Sequence, residues 1–506
     1  MASLGTGINS TICADLGTTG TGKSWTLRNI LLAAVKDAVV QKQPLRILIT
    51  SGTYTAIDNV LLDVDKMLAK LLPERPYSLF RLQSSFRPIP DKLAIEHPDI
   101  INVPFDKDKN LVPPKIIQLT KELNNPISIT VVGAPAQQLH NLAVVCGGKA
   151  KETAKDVLRN WFDFVVLDEA SQLDVATSTL IFTKVAENGS VVLAGDDLQL
   201  PPVHQADAPE NLDRIVGSVY NYFRYHHKIE PQSLQVNYRS NATIVAFTKL
   251  AGYDPVLRSH SPDLSLRFLE PIPTNQPDDW PDNLFWTPDW GRLLNPNHPT
   301  ICFIYKDELS SQVNDFEADA IAALIYLLYG RLKQDLANER GFDGSVKVTT
   351  DLLHDEASFW KTAVGIVTPH RAQQSKIVRR LQLTFPSHPA DKIRDAVDTV
   401  ERFQGQQRQV ILASFGLGDP DIIQSEDEFL YSLNRFNVLA SRSQAKLVVF
   451  TTRSLVDHLS NDSDVLEESR LLKRFAETFC DNEQPLNLGY FRSDKLEERP
   501  GVMRYH

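Results

Sequence analysis

Gly17-Thr18-Thr19-Gly20-Thr21-Gly22-Lys23-Ser24 is the stretch on which the fold turns. Its spacing, GxxxxGK[ST], is that of a loop that wraps phosphate groups. The glycines let successive backbone N–H groups turn inward around an anion. Lys23 reaches the β- and γ-phosphates of ATP as a point charge, and Ser24 offers a hydroxyl to Mg²⁺. A helix over 25–41 points its positive end at the same place. The run 11–16 reads as a strand, so the loop has the strand-before, helix-after context that its chemistry needs.

Working outward, an apolar run at 162–167 ends in Asp168-Glu169-Ala170-Ser171-Gln172. Two acids at a strand end, downstream of a phosphate loop, suit metal and water chemistry. Asp168 is the candidate Mg²⁺ ligand together with Ser24, and Glu169 the candidate general base. A further run at 191–194 leads into Gly195-Asp196-Asp197-Leu198-Gln199. The Gln199 amide can donate to a γ-phosphate and accept from a water, as a sensor of hydrolysis would.

The same rhythm of apolar run, polar turn and helix recurs twice. Runs at 46–50, 162–167 and 191–194 form one block; runs at 301–305, 364–367, 410–414 and 447–450 form another, with a helix over 314–332. Such alternation predicts α/β lobes with parallel sheets covered by helices. The expected organisation is a first lobe at 1–62 and 126–230, an accessory insertion at 63–125, a second lobe at 231–460, and a C-terminal tail at 461–506. The insertion is inferred from several prolines and no clear strand ladder. Residues 254–300, with nine prolines and three tryptophans, read as an irregular excursion in the second lobe. That excursion is either a packed surface loop or a base-stacking or partner-docking surface.

Composition sets limits. The 506 residues are 42% hydrophobic and 23% charged, as in a globular protein with large cores. There is no apolar stretch of membrane-spanning length and no leader pattern, so a soluble intracellular protein without a membrane partner is expected. Cys13, Cys146, Cys302 and Cys480 form no CxxC pair, which argues against a zinc site or a disulfide framework. The net charge of −10 is a whole-molecule sum and leaves room for one basic channel.

Two arginines, in Asn237-Tyr238-Arg239-Ser240 and in Asn437-Val438-Leu439-Ala440-Ser441-Arg442, sit beside small polar residues. A guanidinium from a facing lobe neutralises charge on the transferring phosphate, an effect worth roughly 10³–10⁵-fold in rate. Basic residues also gather at Arg371, Lys376, Arg379 and Arg380, at Lys392 and Arg394, and at Arg402 and Arg408. They read either as phosphate contacts or as a solvated helix face.

In order, the motifs GTTGTGKS, SGTYTAIDN (51–59), DEASQ, GDDLQLPP, NYRS, TPHRAQ (368–373), VERFQGQQ (400–407) and NVLASR resemble those of superfamily 1 helicases, in particular the 1B branch of up-frameshift and senataxin-like helicases. The resemblance covers about residues 11–453. It implies two RecA-like lobes, ATP hydrolysis, and 5′-to-3′ movement on single-stranded DNA or RNA. Residue by residue, it implies that Tyr238 stacks on adenine and that Arg239 and Arg442 meet the γ-phosphate. Gln404 and Gly405 would link the ATP site to the strand. Thr53 and the Thr368, Pro369, His370 and Arg371 loop would touch the nucleic-acid backbone. Three departures stand out. Thr18 and Thr19 replace the usual prolines, and Gln407 replaces a glutamate that helps position the nucleotide. Only 16 residues precede the loop, so the upstream adenine-contacting glutamine is not visible. That last point suits a fragment of a longer protein, with missing N-terminal domains or a partner protein, or a relaxed choice of base. The leading expectation is an ATP-dependent helicase or translocase. The alternatives are a nucleotide-switched clamp on nucleic acid or protein, and the motor module of a larger nuclease or defence protein.

Overall fold

The computed structural model describes residues 12–16, 20–85, 89–90, 92–105, 114–146, 160–202, 216–334, 352–403, 405–492 and 495–506. Its contacts divide the chain into two compact units, residues 1–17 with 22–234 and residues 18–21 with 235–506. The stretch 18–21 therefore groups with the second unit, although the sequence assigns the whole phosphate loop to the first lobe.

The first unit is built on eight strands: β1 (Ile12–Leu16), β2 (Leu45–Thr50), β3 (Ser78–Ser84), β4 (Ile100–Phe105), β5 (Ile129–Gly133), β6 (Phe162–Leu167), β7 (Val185–Gly195) and β8 (Gln232–Ser233). They form one sheet in the order β4-β3-β5-β2-β6-β7-β1-β8, and the pairings are parallel. Central strands are apolar on both faces because helices cover both: Ile47, Leu48 and Ile49 of β2 are fully buried. Helix α1 (Lys23–Gln41) buries Leu27, Leu31, Val35 and Ala38, a stripe at the spacing of one helix face.

Residues 63–125 are not a separate accessory insertion. Helix α2 (Tyr54–Leu71) runs into them, and β3 and β4 extend the main sheet at its edge. The strand signal is masked by polar residues buried in β3. Arg81 and Gln83 are 1% and 3% exposed. The Arg81 guanidinium donates to the Asp58 carboxylate of α2 at 2.8 Å and also to the Gln83 side-chain oxygen. Charge pairing inside the core lets a polar-looking sequence form an interior strand.

The second unit holds β9 (Val236–Asn237), β10 (Arg258–Ser259), β11 (Thr300–Tyr305), β12 (Val364–Val367), β13 (Val397–Asp398), β14 (Arg408–Ser414), β15 (Ser443–Thr452), β16 (Asn482–Arg492) and β17 (Lys495–Tyr505). Seven of them form a sheet in the order β13-β12-β14-β15-β11-β17-β16. It is parallel from β13 to β11, and then β17 and β16 run antiparallel. The expected helix over 314–332 is observed as Asp315–Leu328, buried nearly all round.

Two readings change here. The 461–506 segment is no tail: a helix (Ser463–Arg474) precedes the β16–β17 hairpin, which completes the sheet. Pro485 and Pro500 conceal this hairpin in the sequence. Pro485 is tolerated because β16 is an edge strand, and Pro500 lies just before Gly501–Tyr505, the part of β17 that pairs with β11. The tryptophans of 254–300 are core rather than a stacking surface. Trp280 and Trp290 are 5% and 1% exposed in the unit's main apolar cluster, and Trp286 packs against it. Among the described residues no helix is long and apolar enough to cross a membrane.

The hairpin's role is testable by truncating Leu488, which is fully buried. Leu488→Ala is expected to cost about 2–5 kcal/mol in denaturant unfolding, as in a core; a change within about 0.5 kcal/mol would mark a surface tail instead.

Candidate nucleotide and nucleic-acid sites

In the first unit, the carboxyl ends of β1, β7 and β6 lie side by side, so the residues that follow them gather at one edge of the sheet. After β1, Gly22 takes a left-handed conformation (φ 88°) at the N-cap of α1, and Lys23 is the first helical residue. Its Nζ lies 3.8 Å from the Asp196 carboxylate, which follows β7. Asp196 also accepts from Gln199 Nε2 at 2.6 Å, and its N–H donates to Ser171 Oγ at 3.3 Å. Gly195 is needed for this approach: a Cβ there would lie 2.7 Å from the Tyr220 ring.

After β6, the Asp168 N–H donates to the Thr50 carbonyl at 2.9 Å. Glu169 adopts a left-handed φ of 53°, and its own N–H donates to the Asp168 carboxylate at 3.0 Å. The Glu169 carboxylate accepts from Gln172 Nε2 at 3.0 Å. Burial, and the neighbouring Glu169 charge, push the Asp168 carboxyl up to about 7, while Lys23 pulls it back. Lys23, Asp168, Glu169 and Gln199 thus share one edge, and Asp196 joins them as the partner of Lys23. The sequence carries the Asp196 signal in GDDLQLPP, an acid directly after the strand that neighbours β1. Ser24 is exposed and Thr21 buried. Gly17, Thr18 and Thr19 lie outside the described residues.

In the second unit, three distant motifs converge. Asn237 Oδ1 accepts from the N–H groups of Arg239 (2.8 Å) and Ser240 (2.9 Å), a tight turn that aims the arginine. Arg239 Nε donates to Gln407 Oε1 at 2.9 Å and its Nη1 to the Ser441 carbonyl at 3.0 Å. Both of these acceptors are neutral groups that orient the guanidinium. The Arg408 N–H donates to the Arg442 carbonyl at 3.0 Å, and the Arg442 side chain is 1% exposed. Tyr238 packs against His260 at 4.9 Å, and its N–H donates to the Gly20 carbonyl at 2.7 Å within the same unit. Gly405 is exposed with φ 81° and open space beside it.

Residues 217–454 match the family described as AAA domain. The DNA replication ATP-dependent helicase/nuclease DNA2 of Saccharomyces cerevisiae is 23% identical over 445 residues, covering 87% of this chain and 24% of that protein. The protein of the same name from Homo sapiens is 23% identical over 487 residues, covering 92% of this chain and 38% of that protein. The chain is thus similar to proteins named as ATP-dependent helicase/nucleases. It spans less than two-fifths of either relative's length. The Arterivirus nonstructural protein 10 helicase, solved with DNA, aligns at 11% identity over 87% of this chain and 61% of that chain, with a TM-score of 0.34 too low to bear on the fold.

The loops that the sequence leads one to expect at a nucleic-acid strand are only partly at the surface. Thr53 is exposed and caps α2, its side chain accepting from the Ala56 N–H at 3.3 Å. Thr368 is fully buried at the end of β12, with its N–H on the Asp398 carbonyl, so its side chain cannot meet a strand there. Motif spacing does not say which face of a strand end a residue takes. Pro369 is half-buried and Arg371 exposed. His370 stacks on Phe429 at 5.9 Å with Nε2 3.1 Å from Glu426; burial lowers its pKa and Glu426 opposes the shift. Gln404 lies outside the described residues.

Gln373 ends the TPHRAQ loop as an anchor rather than a strand contact. It is fully buried, accepting from the Asn314 N–H at 2.8 Å and donating to the Asn314 carbonyl (3.2 Å) and Ser414 Oγ (2.9 Å). Glu317 completes this network, accepting from Tyr305 Oη (2.6 Å), the Gly416 N–H (2.8 Å) and Ser414 Oγ. Burial lifts Glu317 to about 7 against those three hydrogen bonds. The sequence signal for it is an acid inside an otherwise apolar helix. Gln373→Leu should strand buried partners and cost about 1–3 kcal/mol in chemical denaturation. Unchanged stability would show that the network does not hold the loop.

Proposed function

We propose that this chain is an ATP-driven motor module that moves 5′-to-3′ along single-stranded nucleic acid. The observation that carries the reading is the gathering of Lys23, Asp168, Glu169, Asp196 and Gln199 at one edge of a parallel sheet, directly after a phosphate loop. Such an edge, with a helix N-terminus in it, is where open α/β sheets hold phosphorylated ligands.

In this reading, the N–H groups of Gly17 to Ser24 and the Lys23 ammonium hold the ATP phosphates. Ser24 and Asp168 hold Mg²⁺, which when bound neutralises charge developing on the phosphates. The residues fit: a buried carboxylate raised to about 7 regains its charge beside a cation. Among the described residues no group of three or more His, Cys, Asp or Glu could hold a metal ion. Glu169, held by Gln172, takes the proton of the attacking water. Gln199 reports the γ-phosphate to Asp196 through their hydrogen bond. Arg239 and Arg442 are the γ-phosphate arginines, and Tyr238 stacks on the adenine. Gly405, Gln407 and Gln404 pass the nucleotide state to the strand. The strand lies along Thr53, Pro369, His370 and Arg371.

DNA is the proposed track, because the relatives are named DNA replication helicase/nucleases. Their names, and the small share of their length that this chain spans, also support a motor module within a larger nuclease. A second reading, a clamp that closes on ATP without moving, draws on Gln407, which leaves Arg239 with a neutral partner where an acid is usual.

Glu169→Gln is expected to lower strand-stimulated ATP hydrolysis by about 10²–10⁴-fold while ATP binding is kept, and Lys23→Ala to weaken binding itself. Hydrolysis should be compared with single-stranded DNA, single-stranded RNA and no nucleic acid. Wild-type turnover in Glu169→Gln would remove the assigned base. ATP-dependent strand retention without displacement would favour the clamp.

A further inference from the structure

The second unit contains a basic groove of about 520 Å³ between the segment Phe359–Ala363, the helix Ala390–Asp395 and the residues around the FQG loop. Its lining includes five cationic side chains, Lys361, Lys392, Arg394, Arg402 and Arg408, against two carboxylates, Asp395 and Asp398. A local excess of positive charge in a chain of net charge −10 calls for a local cause. Of the other basic residues of this region, Lys376 pairs with Asp315 and Arg380 with Asp319. Within the groove, Lys392 pairs with Glu356 at 2.8 Å. Among the described residues, Lys361, Arg394, Arg402 and Arg408 have no carboxylate within ion-pairing reach.

Arg408 is the unusual member. It is 6% exposed, yet its partners are neutral: Nε donates to the Val364 carbonyl (3.1 Å), and the Nη groups to the Gln407 carbonyl (2.9 Å) and Gln406 Oε1 (2.7 Å). Burial lowers its pKa to about 10. Buried charges are ordinarily paired, so a fixed guanidinium on a groove wall is a waiting anion partner. The backbone makes room for it. A Cβ at Gly365 would lie 2.7 Å from Arg408 Cγ and 2.6 Å from the Phe403 ring. The groove offers charge but no open aromatic face, since Trp360 is 1% exposed and its indole N–H is bound to His388. That combination suits backbone phosphates, not bases.

We propose that this groove binds a run of phosphodiesters of the nucleic-acid strand, as a backbone site beyond the Pro369–Arg371 loop, with Arg408 as its fixed anchor and Lys361, Arg394 and Arg402 as mobile contacts. The proposal rests on the motor reading and adds a stretch of track to it. Contacts of this kind are sequence-independent and salt-sensitive.

The test is equilibrium binding of the full chain to a labelled oligo(dT) across a salt series, comparing wild type with the triple variant Lys361→Gln, Arg394→Gln, Arg402→Gln. These three side chains are exposed, so the variant should fold. Each lost phosphate contact removes about 0.7 from the slope of log affinity against log salt, so a drop of about 2 is expected, with ATP hydrolysis in the absence of nucleic acid unchanged. Arg408→Gln, checked by its thermal midpoint, should weaken binding further. Equal slopes for wild type and triple variant would overturn the groove while leaving the motor intact. A wild-type chain that binds no single strand would overturn both. Loss of inorganic-phosphate binding in the variant with unaltered oligo(dT) binding would assign the groove to a free anion instead and overturn the strand site.

Discussion

Parallel strands end at the same edge, and the first unit depends on that constraint. β2, β6, β7 and β1 are neighbours in this order, so residues after each strand meet although the chain separates them widely. One cation, Lys23, sits 3.8 Å from Asp196, and Asp168 and Glu169 follow the strand next door. Acids crowded at a water-poor edge repel one another, and burial lifts Asp168 to about 7. In the proposed reading such a cluster would gain from a metal–triphosphate. The backbone bond from Asp168 N–H to the Thr50 carbonyl ties the acid loop to the end of β2, whose next residues lead into α2. Nucleotide chemistry and the SGTYTAIDN segment therefore share one rigid edge.

The second unit solves a different problem with mostly neutral groups. Arg239 is aimed by an asparagine turn, an amide oxygen and a backbone carbonyl. Gln373, Asn314, Glu317, Tyr305 and Ser414 form a buried network joining the TPHRAQ helix, the Gly416 turn and the helix Asp315–Leu328. Buried networks with every member bonded rigidify what they hold. The loop Pro369–Arg371 is thus mounted on a stiff base, as the proposed strand contact would require.

Much of this was legible in the sequence, and the failures have physical causes. Strands β2, β6, β11, β12 and β14 were readable because both faces are covered, which leaves continuous apolar runs. β3 was hidden by Arg81 and Gln83, whose pairing with Asp58 appears only when α2 packs on the sheet. β16 and β17 were hidden by prolines that only the geometry of an edge permits. The motifs name candidate residues but not which way they face: Thr368 and Gln373 point inward, and Arg408 lies buried where its position beside the FQG loop suggests an open contact. Lys23, Asp168, Glu169 and Gln199 could be named from spacing alone. Asp196, as the partner of Lys23, needed the sheet order.

The central claim is the proposal that Lys23 and Asp168, at one edge of the first unit's sheet, act on one metal–triphosphate. The most direct test is a double-mutant cycle for binding of a non-hydrolysable ATP analogue with Mg²⁺, pairing Lys23→Ala with Asp168→Ala. Groups that share a ligand should be coupled, with an interaction energy above about 0.5 kcal/mol. Losses that simply add would mean that the two residues serve different ends, and would contradict the account.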